Sequence, residues 1–253
     1  MKNNKISWWR TNFTDDEISK ISESIKNECI SMGKVTEEFE QKLSESLEVP
    51  YVVSTTSGSM ALLMALMAIE IKPGDEVIVP NRTWIATAHA PMILGAKPIL
   101  VDVLPDRPII DTDLIEEKIT EKTRAIMPVQ LNGRGVKIEE VWKIAKKYNL
   151  KVIEDSAQGL FSKYKGTFMG TESDAGCFSF SVAKLIPTGQ GGFIATKQKR
   201  IYEKLKLMRT HGVDNVNDGS PFLTMGFNFR YTDLQASIGL IQLEKVKERI
   251  NNL

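Results

Sequence analysis

Residues 178–192 read Phe-Ser-Phe-Ser-Val-Ala-Lys-Leu-Ile-Pro-Thr-Gly-Gln-Gly-Gly, a β-prone run with two serines, one lysine and a glycine-rich turn. The lysine, Lys184, lies on an apolar stretch, where a charged amine is costly unless it becomes neutral or covalently engaged. A Schiff base with an aldehyde cofactor meets both conditions, and lysines of depressed pKa are the usual nucleophiles for it. The alternative is a lysine at a strand end whose amine reaches back into water.

The composition of the chain is that of an ordinary globular protein. It has 253 residues, 42% hydrophobic and 26% charged, enough to bury a sizeable core. A net charge of +1 gives no electrostatic reason to expect nucleic acid or an anionic membrane as partner. Cys29 and Cys177 are isolated, and His89 and His211 lack ligand spacing, which argues against a disulfide framework and a zinc site. Without an apolar span or signal-peptide pattern, we expect a soluble cytoplasmic protein.

Short apolar runs alternate with longer amphipathic stretches along the chain. Runs rich in Val and Ile that are separated by helices indicate a mostly parallel sheet covered on both faces, a three-layer α/β/α fold. The predicted strands are residues 51–54, 76–79, 98–103, 125–130, 151–154, 176–181 and 193–196. The predicted helices are residues 60–69, 85–94, 113–119, 138–148 and 200–209, preceded by a helical, acidic-polar arm over residues 14–47.

Small residues follow the first predicted strand. Residues 54–62 read Ser-Thr-Thr-Ser-Gly-Ser-Met-Ala-Leu and open a helix. Free backbone N–H groups and the positive dipole end at such a helix start form an anion site that suits phosphate. A serine N-cap without any ligand explains the same residues equally well.

Three further side chains lie where ligands bind in open α/β sheets, beyond the carboxyl ends of the strands. Trp84 either stacks on a flat heteroaromatic ring or packs in the core. Asp155 ends an apolar strand, and a buried carboxylate needs a cationic partner such as a protonated pyridine nitrogen. The alternative is that Asp155 simply caps the loop. Gln158 either donates to a ring oxygen or faces water.

A phosphate cradle, a ring stacker, a carboxylate for a ring nitrogen and a Schiff-base lysine are together what pyridoxal phosphate requires. With them in this order, the chain resembles the DegT/DnrJ/StrS group of pyridoxal-phosphate-dependent sugar aminotransferases, which have the aspartate-aminotransferase (fold type I) architecture. The resemblance runs from about residue 17 to residue 253. Besides the Lys184 segment and His211-Gly212, its markers are residues 58–62, 73–80, 154–158 and 226–230.

The resemblance implies roles around the cofactor ring. Lys184 matches the lysine that forms the internal aldimine and then moves the proton between Cα and C4′. Asp155 matches the partner of the pyridine nitrogen, and Gln158 the residue near the ring hydroxyl. Trp84 occupies the aromatic position that covers the ring.

The resemblance also implies contacts to the cofactor phosphate. Gly58, Ser59 and Ser179 match such contacts, with Ser59 in place of the more usual threonine. Asn228 matches a residue that reaches the phosphate in the neighbouring subunit, which implies a homodimer with shared active sites.

Two departures from the family pattern stand out. Gln130 replaces the usual histidine of a "VHLYG"-like segment, and we interpret it as a variation that tunes substrate choice from outside direct contact. The family also continues for roughly another hundred residues, about the size of a small second domain. We therefore expect an N-terminal helical arm over residues 1–48, a cofactor-binding large domain over residues 49–253 that ends in the interdomain helix, and no C-terminal small domain.

The resemblance implies transfer of an amino group from an amino acid donor, glutamate, to a nucleotide-linked keto sugar. One alternative is a non-catalytic protein, or incomplete fragment, that binds pyridoxal phosphate or another ligand. A second alternative is a sugar dehydratase on the same scaffold. Those relatives have histidine at the lysine position, whereas this chain has Lys184.

Overall fold

A computed structural model describes residues 7, 9–214 and 219–251. The helices are α1 (Asp15–Lys26), α2 (Lys34–Leu47), α3 (Gly58–Ala68), α4 (Ala86–Ile93), α5 (Ile138–Tyr148), α6 (Lys199–Arg209), α7 (Asp233–Glu244) and α8 (Val246–Asn251). The strands are β1 (Tyr51–Thr55), β2 (Glu76–Pro80), β3 (Lys97–Val101), β4 (Thr123–Ile126), β5 (Lys151–Asp155), β6 (Lys163–Tyr164), β7 (Thr167–Phe168), β8 (Ala175–Ser179) and β9 (Gly192–Thr196).

Seven of these strands form one sheet in the order β1-β9-β8-β5-β4-β2-β3, and β6 and β7 form a separate hairpin. Only β9 runs against its neighbours β1 and β8; the other pairs are parallel. The predicted mostly parallel sheet is therefore confirmed, and each of its strands coincides with a predicted apolar run. Three of them end earlier than predicted, β3 at Val101, β4 at Ile126 and β8 at Ser179. Beyond β4, Val129 still forms an isolated parallel bridge to Asp155.

Helices cover both faces of the sheet, as continuous apolar strands require. On one face lies α3, a helix that is apolar all round and therefore buried, with Met64, Ala65 and Leu66 fully enclosed. On the same side of the sheet as α2 and α7, a second cluster contains Phe39, Phe180 and other large aromatic side chains. A third apolar cluster packs α5 against β4 and β5.

The N-terminal arm consists of two helices that pack on α7. A capping box starts α1, in which Thr14 and Glu17 each satisfy a backbone N–H of the other. At the start of α2, the buried Asp233 of α7 accepts the N–H groups of Gly33 and Thr36, both at 2.9 Å. Helix α2 also contributes Phe39 to the core, so this part of the arm is integral to the fold.

The predicted helix over residues 113–119 is wrong. The segment forms two single turns of 3-10 helix, Thr112–Leu114 and Glu116–Lys118. A seven-residue stretch forms too few α-helical hydrogen bonds to repay nucleation, and Asp111 accepts the N–H of Asp113 to close a turn instead. None of the helices in the described ranges has the length and hydropathy to cross a membrane.

Candidate active site

The sheet brings several predicted site residues to one edge. Since β1, β5 and β8 all run in the same direction, their carboxyl ends meet there. Asp155 ends β5 and Ser179 ends β8, and Gly58 begins the helix that follows β1. Lys184 comes five residues after the end of β8.

Two glycines make it possible for the turn after β1 to touch the end of β8, although β9 lies between the two strands. A Cβ atom on Gly58 would lie 2.8 Å from the Cβ of Ser179. A Cβ atom on Gly192, where β9 begins, would lie 2.7 Å from the backbone nitrogen of Gly58. Both positions therefore need glycine, and together they place the N-terminus of α3 beside the Ser179 hydroxyl.

The start of α3 combines a serine cap with a surface for an anion. The Ser57 hydroxyl accepts the N–H of Met60 at 3.2 Å, so the capping interpretation is confirmed. The cap satisfies only one of the first N–H groups, and a helix leaves four of them without partners inside the helix. Gly58 and Ser59 occupy the first two positions, both partly exposed, beside the partly exposed Ser179. This geometry is compatible with phosphate contacts by Gly58, Ser59 and Ser179, and those contacts stay a prediction.

Asp155 is the buried carboxylate at the centre of the edge, with 5% of its surface exposed. Thr87, on the buried side of α4, donates its hydroxyl to Asp155 Oδ2 at 2.7 Å. The N–H of Ala157 donates to Oδ1 at 3.2 Å, so Asp155 also caps its loop. Burial raises the pKa of Asp155, and the hydrogen bonds from Thr87 and Ala157 and the charge of Lys184 partly offset this rise. A cation beside this carboxylate would relieve its burial.

Lys184 lies in a turn in which its N–H donates to the carbonyl of Ser181 at 2.9 Å. Its side chain is partly buried, and burial lowers the pKa of the Lys184 amine while the negative charge of Asp155 opposes this change. The structure therefore brings Lys184 and Asp155 within electrostatic reach of one another. A lysine reaching freely into water would not have a lowered pKa.

The remaining predicted residues lie at the surface. Trp84 is 71% exposed just before α4, so the alternative that it packs in the core is wrong. Gln158 is exposed, and its Oε1 accepts the N–H of Asn132 at 2.7 Å. Asn228 is exposed in an extended segment that bridges to Thr210 after α6. The roles of Trp84, Gln158 and Asn228 toward a cofactor stay predictions.

The structure adds two contacts that the sequence did not reveal. Thr87 orients Asp155, yet a threonine at the second position of a helix carries no local signal of such a role. Gln130 is buried and donates Nε2 to Glu154 Oε2 at 2.6 Å, while its Oε1 accepts the N–H of Val136 at 2.8 Å. Because side chains alternate along a strand, Glu154 and Gln130 lie on the opposite face of β5 from Asp155.

Comparison with known proteins gives concordant matches over most of the chain. The sequence model of the DegT/DnrJ/EryC1/StrS aminotransferase family matches residues 12–252. The GDP-perosamine synthase of Caulobacter vibrioides is 40% identical over 220 residues, which are 87% of this chain and 59% of that protein. The GDP-perosamine synthase of Escherichia coli O157:H7 is 40% identical over 231 residues, 89% of this chain and 63% of that protein.

Among solved structures, the putative sugar aminotransferase Spr1654 of Streptococcus pneumoniae in its PMP form superposes with a TM-score of 0.90 at 30% identity. The superposition covers 96% of this chain and 66% of that one. The chain thus spans about three fifths of the length of the two curated relatives, 59% and 63%.

Proposed function

This chain belongs to the DegT/DnrJ/EryC1/StrS aminotransferase family, and on that premise we propose that it binds pyridoxal phosphate at the sheet edge described above. The whole protein then transfers an amino group from an amino acid donor to a nucleotide-linked keto sugar. The observation that carries the proposal is that the partly buried amine of Lys184 lies within electrostatic reach of the buried carboxylate of Asp155 at the carboxyl edge of the sheet.

The residues present fit this cofactor. Gly58 and Ser179 approach so closely that a methyl group at position 58 would collide, so the partly exposed start of α3 lies beside Ser179. The backbone N–H groups of this helix start and the hydroxyls of Ser59 and Ser179 would hold the phosphate. Asp155 is a carboxylate with 5% of its surface exposed, held by Thr87 and Ala157, and a protonated pyridine nitrogen beside it would supply a cation that relieves its burial. Lys184 is the amine that would bind the aldehyde.

When bound, pyridoxal phosphate supplies an electron sink for the carbanion that forms at the substrate carbon. The chain's own residues do the rest. Asp155, whose Oδ2 accepts the Thr87 hydroxyl, would hold the ring nitrogen in its protonated form. Lys184 Nζ, in its neutral form, accepts and returns the migrating proton. Trp84, which is 71% exposed, would cover one face of the ring and exclude water from it.

Similarity to named relatives supports the substrate class. The two relatives with 40% identity are named GDP-perosamine synthase, which favours a GDP-linked sugar as the acceptor. Glutamate as the donor rests on the family resemblance alone. Lys184 argues against the dehydratase alternative, in which this position is histidine.

We place the whole protein in the cytoplasm as a homodimer with shared sites. Asn228 is exposed, as a residue that reaches a neighbouring subunit must be. Cys29 and Cys177 are both free thiols, which suits a reducing compartment.

The test is to incubate the purified chain with pyridoxal phosphate, reduce it with borohydride and map the modified peptide by mass. We expect one adduct, on Lys184. The Lys184→Ala variant should lose it, whereas the control Lys165→Ala, at an exposed lysine paired with Glu139, should keep it. An unmodified Lys184 in folded protein would contradict the cofactor assignment.

A second measurement separates an enzyme from a non-catalytic binding protein. The full-length protein, loaded with cofactor, is mixed with glutamate and its absorbance spectrum is followed. An aminotransferase converts the cofactor to the pyridoxamine form, and a nucleotide-linked keto sugar then restores the starting spectrum. A protein that binds the cofactor without this conversion would contradict the proposed activity.

A further inference from the structure

The loop that carries Lys184, residues 181–190, is fixed at its base by a residue that precedes α7. The N–H of Thr188 donates to the carbonyl of Phe180 at 2.9 Å and closes the base. The hydroxyl of Tyr231, a fully buried side chain, donates to Thr188 Oγ1 at 2.6 Å. We call residues 181–190 the lysine loop. The base of the lysine loop is therefore attached to the segment that leads into α7.

The tip of the lysine loop is held by Arg249 of α8. Arg249 Nη1 donates to the backbone carbonyl of Leu185, the residue next to Lys184, at 2.8 Å. The Leu185 side chain packs on the same apolar cluster as the buried Val246, one helical turn before Arg249. Arg249 Nη2 also lies 3.4 Å from the carbonyl of Asn12, which fixes the guanidinium from a second side.

We propose that Arg249 is a positioning residue for Lys184. By holding the Leu185 carbonyl, it keeps the lysine loop closed, and the Lys184 amine then stays partly buried and within reach of the Asp155 charge. A shift of α8 breaks this bond and releases the loop, so the reactivity of Lys184 depends on where α8 lies. The inference rests on the proposed function, in which Lys184 is the reacting amine.

Loss of Arg249 must be separated from a general loosening of the C-terminal helices. Lys245, one turn earlier, provides the matched control. Its Nζ lies 3.1 Å from Glu17 Oε1 and 3.0 Å from Asp16 Oδ2, both on α1. Lys245→Ala removes the same charge and an anchor of the same helical segment, but its contacts are to α1 and not to the lysine loop.

The experiment compares hydrogen–deuterium exchange of the peptide covering residues 181–190 in wild type, Arg249→Ala, Arg249→Lys and Lys245→Ala. Arg249→Ala removes a charge-assisted, half-buried hydrogen bond, and we expect this loss to make exchange in the loop peptide about five- to tenfold faster. Arg249→Lys, which keeps a cationic donor, should restore most of the protection, and Lys245→Ala should leave the loop within twofold of wild type. If Arg249→Ala folds poorly, Arg249→Met, which keeps the aliphatic stem without a hydrogen-bond donor, takes its place and should show the same acceleration.

The pH profile of borohydride-trapped labelling by pyridoxal phosphate gives a second readout on Lys184. The midpoint of this pH profile should move to higher pH in Arg249→Ala, because the released Lys184 amine is hydrated. Asp155 is the charged group that acts on this amine in the closed loop. Unchanged exchange in Arg249→Ala, or equal acceleration in Lys245→Ala, would overturn the positioning role. If wild type gives no adduct on Lys184, the proposed function fails instead, and the exchange data still decide whether Arg249 holds the loop.

Discussion

The buried ion pair between Glu40 of α2 and Arg209 of α6 offers a quantitative test of how the fold supports the phosphate side of the site. Their side chains are 12% and 7% exposed. Glu40 Oε1 accepts a hydrogen bond from Arg209 Nη1. The same oxygen accepts the N–H of Ser54 at 2.7 Å and the Ser54 hydroxyl at 2.5 Å. Ser54 lies on β1, so this one oxygen ties two helices to the strand that leads into Gly58.

We expect Glu40→Gln to lower the free energy of unfolding by about 3 kcal/mol. Breaking a buried ion pair by removing one charge costs about 3 to 5 kcal/mol. The glutamine oxygen still accepts the Ser54 donors, and an adjoining open groove of about 410 Å³ lets water reach Arg209, so the lower end applies. Adding Arg209→Met removes the stranded cation and should bring stability back to within about 1 kcal/mol of wild type.

The assay is urea unfolding at pH 7, followed by circular dichroism, of wild type, both single variants and the double variant. Glu38→Gln on the same helix is the control. Its ion pair with Lys42, at 3.3 Å, is exposed, and its removal should change stability by less than about 0.5 kcal/mol. A loss below about 1 kcal/mol in Glu40→Gln, or additive losses in the double variant, would refute the reasoning.

Four further predictions concern the site. Burial lowers the pKa of Lys184, so between this lowered pKa and 10.5 the native state binds fewer protons than the unfolded state, and stability rises with pH in that window. Lys184→Met should remove this contribution in urea unfolding of the cofactor-free chain. Burial raises the pKa of Asp155, so the free energy of unfolding falls as pH rises from 3.8 through the raised pKa. Asp155→Asn should therefore be more stable than wild type at pH 7, and a titration with pyridoxal phosphate should show that it no longer binds the cofactor. Gly58→Ala puts a methyl carbon 2.8 Å from the Ser179 Cβ and should cost about 1 to 3 kcal/mol in unfolding free energy, with at least tenfold weaker pyridoxal phosphate binding. Asn228→Ala should weaken that binding in the dimer; unchanged affinity in a variant shown to be dimeric by sedimentation would contradict shared sites.

Much of the fold could be predicted from the sequence because strands and helices have local signals. Continuous Val and Ile runs marked the strands of the sheet, and amphipathic periodicity marked α5 over its full length. The prediction failed at residues 113–119, where the apolar spacing of a helix occurs in a segment too short to nucleate one.

The chemical character of the site was also readable from local pattern. Lys184 in an apolar stretch and Asp155 at the end of an apolar strand both stand out, because an ionisable group there must be satisfied by something. The strand-end rule then placed both at one edge of the sheet, where the structure has them.

The sequence by itself therefore determined the strands, the helices and the reactive residue types, since each depends on neighbours a few positions away. Only the tertiary structure decided which groups orient them: Thr87 on Asp155, 68 residues apart, and Arg249 on the carbonyl of Leu185, 64 residues apart. It also decided that β9 enters between β1 and β8 while the turn at Gly58 crosses to Ser179. Such contacts depend on how whole layers pack, and no local periodicity encodes the distance between two side chains that meet only when the sheet and its helices close together.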